Sequence, residues 1–243
     1  MMRAVDERLM TPWRPWEAIP VGLAALCASI LAAVAFSALA PGAGDGTTLS
    51  GTPVLLSALV LEASFVGFSL AWVGIRHRQG LRSLGLRSAR ATRDLATGGW
   101  FGAALFGVAA FGLLPVIVAL WTAVAGGPPP PIDQPVVPVE PSAVQIALGA
   151  FVVVVGASMG EEVFFRGFLF GSLRSRLGFG RAATISAGAF AIFHVEPLLV
   201  ILMFFVGFAL AWLYERRGSL IAPIGAHAMF NVIGFTLILL ERT

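Results

Sequence analysis

Lysine is absent from the 243-residue chain, so all 16 basic residues are arginine. Cysteine occurs once, at Cys27, which excludes an intramolecular disulfide and leaves the redox compartment unreadable. Charge of either sign is scarce, at 12% of residues, against 58% hydrophobic residues and a mean hydropathy of +0.89. A soluble domain of this length needs a far more polar surface. The formal net charge of +3 is too small to argue for nucleic acid as a partner. No cysteine-rich or His-Glu-x-x-His metal signature occurs either. These absences leave a polytopic membrane protein, with membrane lipid as its constant partner.

Apolar runs supply the spans. Residues 1–17 form a polar tail. Residues 18–124 hold three helices: 18–40, 53–75 and a run within 95–124 that Pro115 should interrupt. Ala38-Leu39-Ala40 also resembles a cleavage site, so removal of the first span is an alternative. Residues 125–142 are a Pro-rich outer loop, and residues 143–240 form a core of four further segments: 143–176, a short 181–194, 198–214 and 220–240. The expected fold is therefore all-α, a membrane bundle of about seven transmembrane helices.

The arginines test this layout. With a cytoplasmic N-terminus, the tail (Arg3, Arg8, Arg14), the 76–93 loop with its six arginines, the next connection with Arg166, Arg174, Arg176 and Arg181, and Arg216-Arg217 all fall inside. Only Arg242 falls outside. The positive-inside rule predicts this asymmetry, and one missed span would scramble it. The expected location is the cell (plasma or inner) membrane.

Gly160-Glu161-Glu162-Val163-Phe164-Phe165-Arg166-Gly167 then stands out, because two carboxylates and a guanidinium sit within hydrophobic sequence. Ionisable groups there are costly and point to function. Glu162 and Arg166 are four residues apart and share a helix face. Glu161 projects about 100° away, so the two glutamates can do different jobs. His194 closes the short segment, and His227 and Asn231 lie four apart on the last helix. At about 1.5 Å rise per residue, all three helices can bring these groups together in the inner half of the membrane.

Glu161-Glu162-xxx-Arg166, Phe190-xxx-His194 and His227-xxx-Asn231 resemble the signature motifs of the CPBP intramembrane proteases, the CAAX-processing endopeptidases and their bacterial relatives, also called the Abi family. The resemblance covers about residues 143–240. It implies that Glu161 activates a water, that His194 orients it, and that His227 and Asn231 stabilise the oxyanion. Glu162 and Arg166 would support Glu161. The site would lie towards the cytoplasmic side, and the substrate would be a membrane-associated protein or peptide, prenylated in the family's eukaryotic and archaeal members. No cofactor is then required. The family has also been described as metalloproteases, so zinc on Glu161, His194 and His227 is the alternative. Asparagine is a poor zinc ligand and a good oxyanion donor, which favours the metal-independent route.

Blander readings stand beside this one. A lone intramembrane histidine or asparagine is more often interhelical glue, and Glu162–Arg166 could be a structural ion pair alone. A non-catalytic membrane scaffold and a proton-coupled transporter are the other function classes, the latter disfavoured by the lack of an inverted repeat. Glu62, within the second span, has no assigned role. His77 reads as a solvated loop residue, and Phe164, Phe165, Phe168 and Phe170 as packing or lipid-facing, with a substrate groove as the alternative for some of them.

Overall fold

A computed structural model describes residues 11–39, 51–87, 89–130 and 141–241. The start of the tail, most of the 42–52 loop, the Pro-rich residues 131–140 and Arg242 lie outside the described residues. The described chain is helical throughout, with no strand. We number the helices α1 (Ala18–Leu39), α2 (Thr52–His77), α3 (Ala91–Ala125), α4 (Ala143–Leu177), α5 (Phe179–Ile192), α6 (Pro197–Arg217) and α7 (Ile221–Leu240). All except α5 are long and apolar enough to cross a membrane. The expected polytopic all-α membrane bundle is what forms.

The boundaries have local causes. Pro53 and Pro197 stand in the first turns of α2 and α6, where a missing N–H costs nothing. Ser142 caps α4 reciprocally: its Oγ accepts from the Gln145 N–H (3.3 Å), and its own N–H donates to Gln145 Oε1 (2.9 Å). Gly178, at φ +78°, separates α4 from α5 in a conformation that a side chain would strain. Pro115 does interrupt α3, through a π-helical stretch at Ala109–Leu113 one turn before it. Helix α4 carries two such stretches, Phe151–Ala157 and Glu162–Phe170. Neither stretch is marked by a proline. π-bulges mark functional sites often enough to matter here.

Packing sets which ends meet. Helix α3 lies along α7, α1 along α2, and α5 along α6, while α4 contacts α2, α5 and α7. The α3–α7 approach depends on absent side chains. A Cβ on Gly98 or Gly102 would stand 2.1 Å from the carbonyl oxygen of Ala222 or Ala226. At one end of the bundle, Arg174 makes a bidentate pair with Glu215 (2.8 and 2.7 Å), and Arg217 Nε donates to Asp94 at 3.0 Å. Tyr214 donates to the Leu84 carbonyl there. At the other end, Gln145 Nε2 donates to Thr52 Oγ1 (3.4 Å). The C-terminal ends of α4 and α6 and the 77–94 segment thus share one end. That agreement requires α5 to carry the chain back towards the opposite side, despite its shortness.

The N-terminal segment is pinned to the same end. Trp13 is fully buried, stacks on Phe168 at 5.4 Å and donates from Nε1 to its carbonyl (2.9 Å). Glu17 accepts from the Arg14 N–H (2.6 Å) and Trp72 Nε1 (2.7 Å), and pairs with His77 Nε2 (2.7 Å). His77 is therefore no free loop residue but half of a clamp between the tail and α2. Phe164, Phe165, Phe168 and Phe170 are all buried: the first three pack against Phe65, Phe190 and Trp13, and Phe170 packs against Phe179 and Tyr214. They hold α4 in the bundle and do not face lipid.

Candidate active site

Glu161 and Glu162 follow one another on α4 yet occupy different surroundings. Glu162 has no exposed surface, and its Oε1 accepts from Arg166 Nη1 (2.8 Å) and His227 Nδ1 (3.0 Å). Arg166 is equally buried. Its Nη2 donates to the Gly207 carbonyl on α6 (3.2 Å), and its guanidinium lies 4.2 Å from the centre of the Phe190 ring. One buried charge is thus met by a countercharge, a carbonyl and an aromatic face from three other positions. The i,i+4 pairing expected from sequence survives the π-helical winding.

Glu161 is the freer group. Its side chain retains 16% exposure, and its Oε2 has no hydrogen-bond partner. His227 Nε2 lies 3.7 Å from that oxygen. The His227 ring therefore stands between the two carboxylates, one nitrogen towards each. Its donation to Glu162 fixes Nδ1 as a protonated position and leaves Nε2 facing Glu161. Phe190 meets the ring edge-on at 5.9 Å.

His194 lies two residues beyond the end of α5, in the turn before Pro197, and not within the helix as the run 181–194 suggested. Its Nδ1–H donates to the Phe190 carbonyl (3.1 Å), and the ring packs on Phe190 at 4.8 Å. This leaves Nε2 as an acceptor in the neutral ring. Asn231, one turn after His227, donates from Nδ2 to the Val153 carbonyl in the first π-helical stretch of α4 (2.8 Å). Its amide keeps a second N–H. His194, His227 and Asn231 line one cavity of about 200 Å³. The turn after α5 and the α7 helix thus bring these three side chains to one cavity.

Two contributors were not visible in the motifs. Gly207 supplies a carbonyl, which a sequence shows only as a glycine. Glu62 is buried, its Oε2 lacks a partner, and it fills the space above Gly160, where a Cβ would stand 2.3 Å from that oxygen. Glu62 is thus a helix contact packed on Gly160, next to Glu161.

Among the described residues, no three His, Cys, Asp or Glu side chains are placed to hold a metal ion. His194 has one ring nitrogen committed to Phe190, and His227 has one committed to Glu162.

The site is thus a cluster of two carboxylates, two imidazoles, a guanidinium and an amide inside a polytopic helical bundle. Residues 143–233 match the family described as Type II CAAX prenyl endopeptidase Rce1-like. A 71-residue stretch is 38% identical to "Putative membrane peptidase YdiL" of Bacillus subtilis (strain 168) and spans 29% of this chain and 29% of that protein's length. No solved structure matches the chain. Both matches are partial, and the family match spans the core that carries the three motifs.

Proposed function

We propose that the protein is an intramembrane endopeptidase in which Glu161 is the general base. The observation that carries this reading is the asymmetry around His227: one carboxylate locked by Arg166 and Nδ1, the other with an unpartnered oxygen beside Nε2. Glu161 takes a proton from water, and the resulting hydroxide attacks the substrate's carbonyl carbon. His194 Nε2 accepts from that water and orients it. The oxyanion is met by Asn231's second N–H and by His227 Nε2 when the ring carries both protons. Glu161 then returns the proton to the leaving nitrogen as the C–N bond breaks, giving a carboxylate and an amine. Glu162 and Arg166 hold the His227 ring and the helix that presents Glu161.

The route needs no metal, and the active site lies on the cytoplasmic side of the cell membrane, where the arginine-rich end of the bundle faces anionic lipid. The substrate is a membrane-associated protein or peptide; a prenylated tail is one member of that class. Hydrolysis of detergent-solubilised peptides by purified wild-type protein and by Glu161→Gln, each with and without EDTA, tests this. Activity that survives EDTA and vanishes in Glu161→Gln is expected. Loss on chelation with recovery on zinc, or full activity in the variant, overturns it. The latter result would also favour a scaffold.

A further inference from the structure

Between α1 and α2, at the end of the bundle where the N-terminal segment is pinned, lies an open groove of about 590 Å³. Pro20, Val21 and Ala24 of α1 and Phe68, Ala71 and Ile75 of α2 make its apolar walls. Two arginines, Arg76 and Arg78, line it as well, and no Asp or Glu does. We infer that this groove binds one anionic phospholipid, with the phosphate on Arg76 and Arg78 and one acyl chain along the apolar walls. The site shares no residue with the candidate active site, and the inference holds whether or not the chain cleaves peptides.

The walls suit a chain. Phe68, Ala71 and Ile75 recur at three- and four-residue intervals, so they form one stripe along α2. Ile75 is 82% exposed and Phe68 38%, and Ala24 and Ala71 add little bulk, which leaves the hollow open to the bilayer. From Phe68 to Arg76 is roughly 12 Å along the helix, within the ~15 Å of one leaflet. The charges suit a headgroup. Both arginines are exposed, and among the described residues neither guanidinium makes a hydrogen bond or ion pair. Arg78 holds a left-handed backbone, φ +53°, a turn that glycine more often supplies. The groove's polar groups are thus two free, planar donors of the kind that match phosphate oxygens. Glu17 does not compete for them. It is buried, with Oε1 committed to the Arg14 N–H and Oε2 to Trp72 and His77. A zwitterionic lipid offers the same phosphate but carries its own ammonium, which offsets the attraction.

Native mass spectrometry tests this on the purified full chain in detergent, with dioleoylphosphatidylglycerol and dioleoylphosphatidylcholine at equal concentration. Wild type should retain one phosphatidylglycerol, preferred over phosphatidylcholine by roughly 25-fold, at about 5-fold for each arginine near a headgroup. Replacing both groove arginines, Arg76→Gln with Arg78→Gln, should abolish that preference. Arg82→Gln with Arg93→Gln removes the same charge from exposed arginines that do not line the groove, and should leave the preference unchanged. Ala24→Phe fills the groove and keeps every charge, and should lower phosphatidylglycerol retention several-fold. Glycerophosphoglycerol, the headgroup without its chains, should displace nothing at the same concentration. A ratio between two lipids is insensitive to how much variant folds. No preference in wild type, or equal losses from the two arginine pairs, overturns the inference; the latter result means diffuse adsorption to the arginine-rich end. Full retention in Ala24→Phe, or displacement by the headgroup alone, overturns it as well, because the apolar walls then play no part. None of these readouts involves cleavage, so each leaves the peptidase reading where it stands.

Discussion

Replacing Glu162 by glutamine should damage the fold, whereas the same change at Glu161 should spare it. Glu162 is fully buried and neutralises an equally buried Arg166 at 2.8 Å while accepting from His227 at 3.0 Å. Glutamine keeps the volume but removes the charge, leaving a guanidinium that retains only the Gly207 carbonyl and the Phe190 face. Breaking one side of such a pair costs about 3–5 kcal/mol. For a chain of this size, about 2–4 °C per kcal/mol converts this to a fall in apparent Tm of about 6–20 °C. Glu161→Gln loses no hydrogen bond and alters a partly exposed group, so its change should stay within about 1 kcal/mol. Thermal unfolding in detergent, followed by tryptophan fluorescence, measures both. The double variant Glu162→Gln, Arg166→Met should recover most of the loss, because a neutral, well-packed replacement of both partners is often tolerated. Equal destabilisation by the two single changes, or a larger fall for Glu161→Gln, would refute the division of labour between the glutamates.

Other outcomes follow from the same contacts. Gly102→Ala should destabilise by about 1–3 kcal/mol through overpacking and lower activity together, because its Cβ would meet the Ala226 carbonyl next to His227; Gly107→Ala, with nothing within 4 Å, is the neutral control, and unfolding midpoints compare them. Asn231→Ala should reduce kcat by about 10²–10³-fold, the usual cost of one oxyanion donor, with a far smaller effect on KM in steady-state peptide hydrolysis. Trp13→Phe should keep the stacking on Phe168 but cost about 1 kcal/mol for the lost hydrogen bond, read as a lower unfolding midpoint.

The long helices were readable because length, hydropathy and arginine placement are independent signals that agree. The site was readable because its ionisable groups stand out in apolar sequence, and because Asn231 is the chain's single asparagine. What stayed hidden was tertiary. Periodicity assumes a uniform 3.6-residue turn, so it cannot announce the π-helical stretches that wind Glu162–Phe170 and place the Val153 carbonyl at Asn231. The His194 position followed an apolar run past the point where the helix gives way to a turn set by Pro197. His77 looked solvated because its partner, Glu17, lies 60 residues away in the tail. Glu62 had no assignable role because its neighbour is a glycine, and the space a glycine leaves is invisible until two helices are packed. The inequality of Glu161 and Glu162 needed the third body, His227, to become physical.

The central claim is that Glu161 is the base of a membrane peptidase. Its most direct test compares protein termini, by mass spectrometry, in membranes of cells carrying the wild-type chain with those carrying Glu161→Gln at equal abundance. New termini in membrane-associated proteins are expected with wild type and none of them with the variant. Identical sets of termini from both would contradict it.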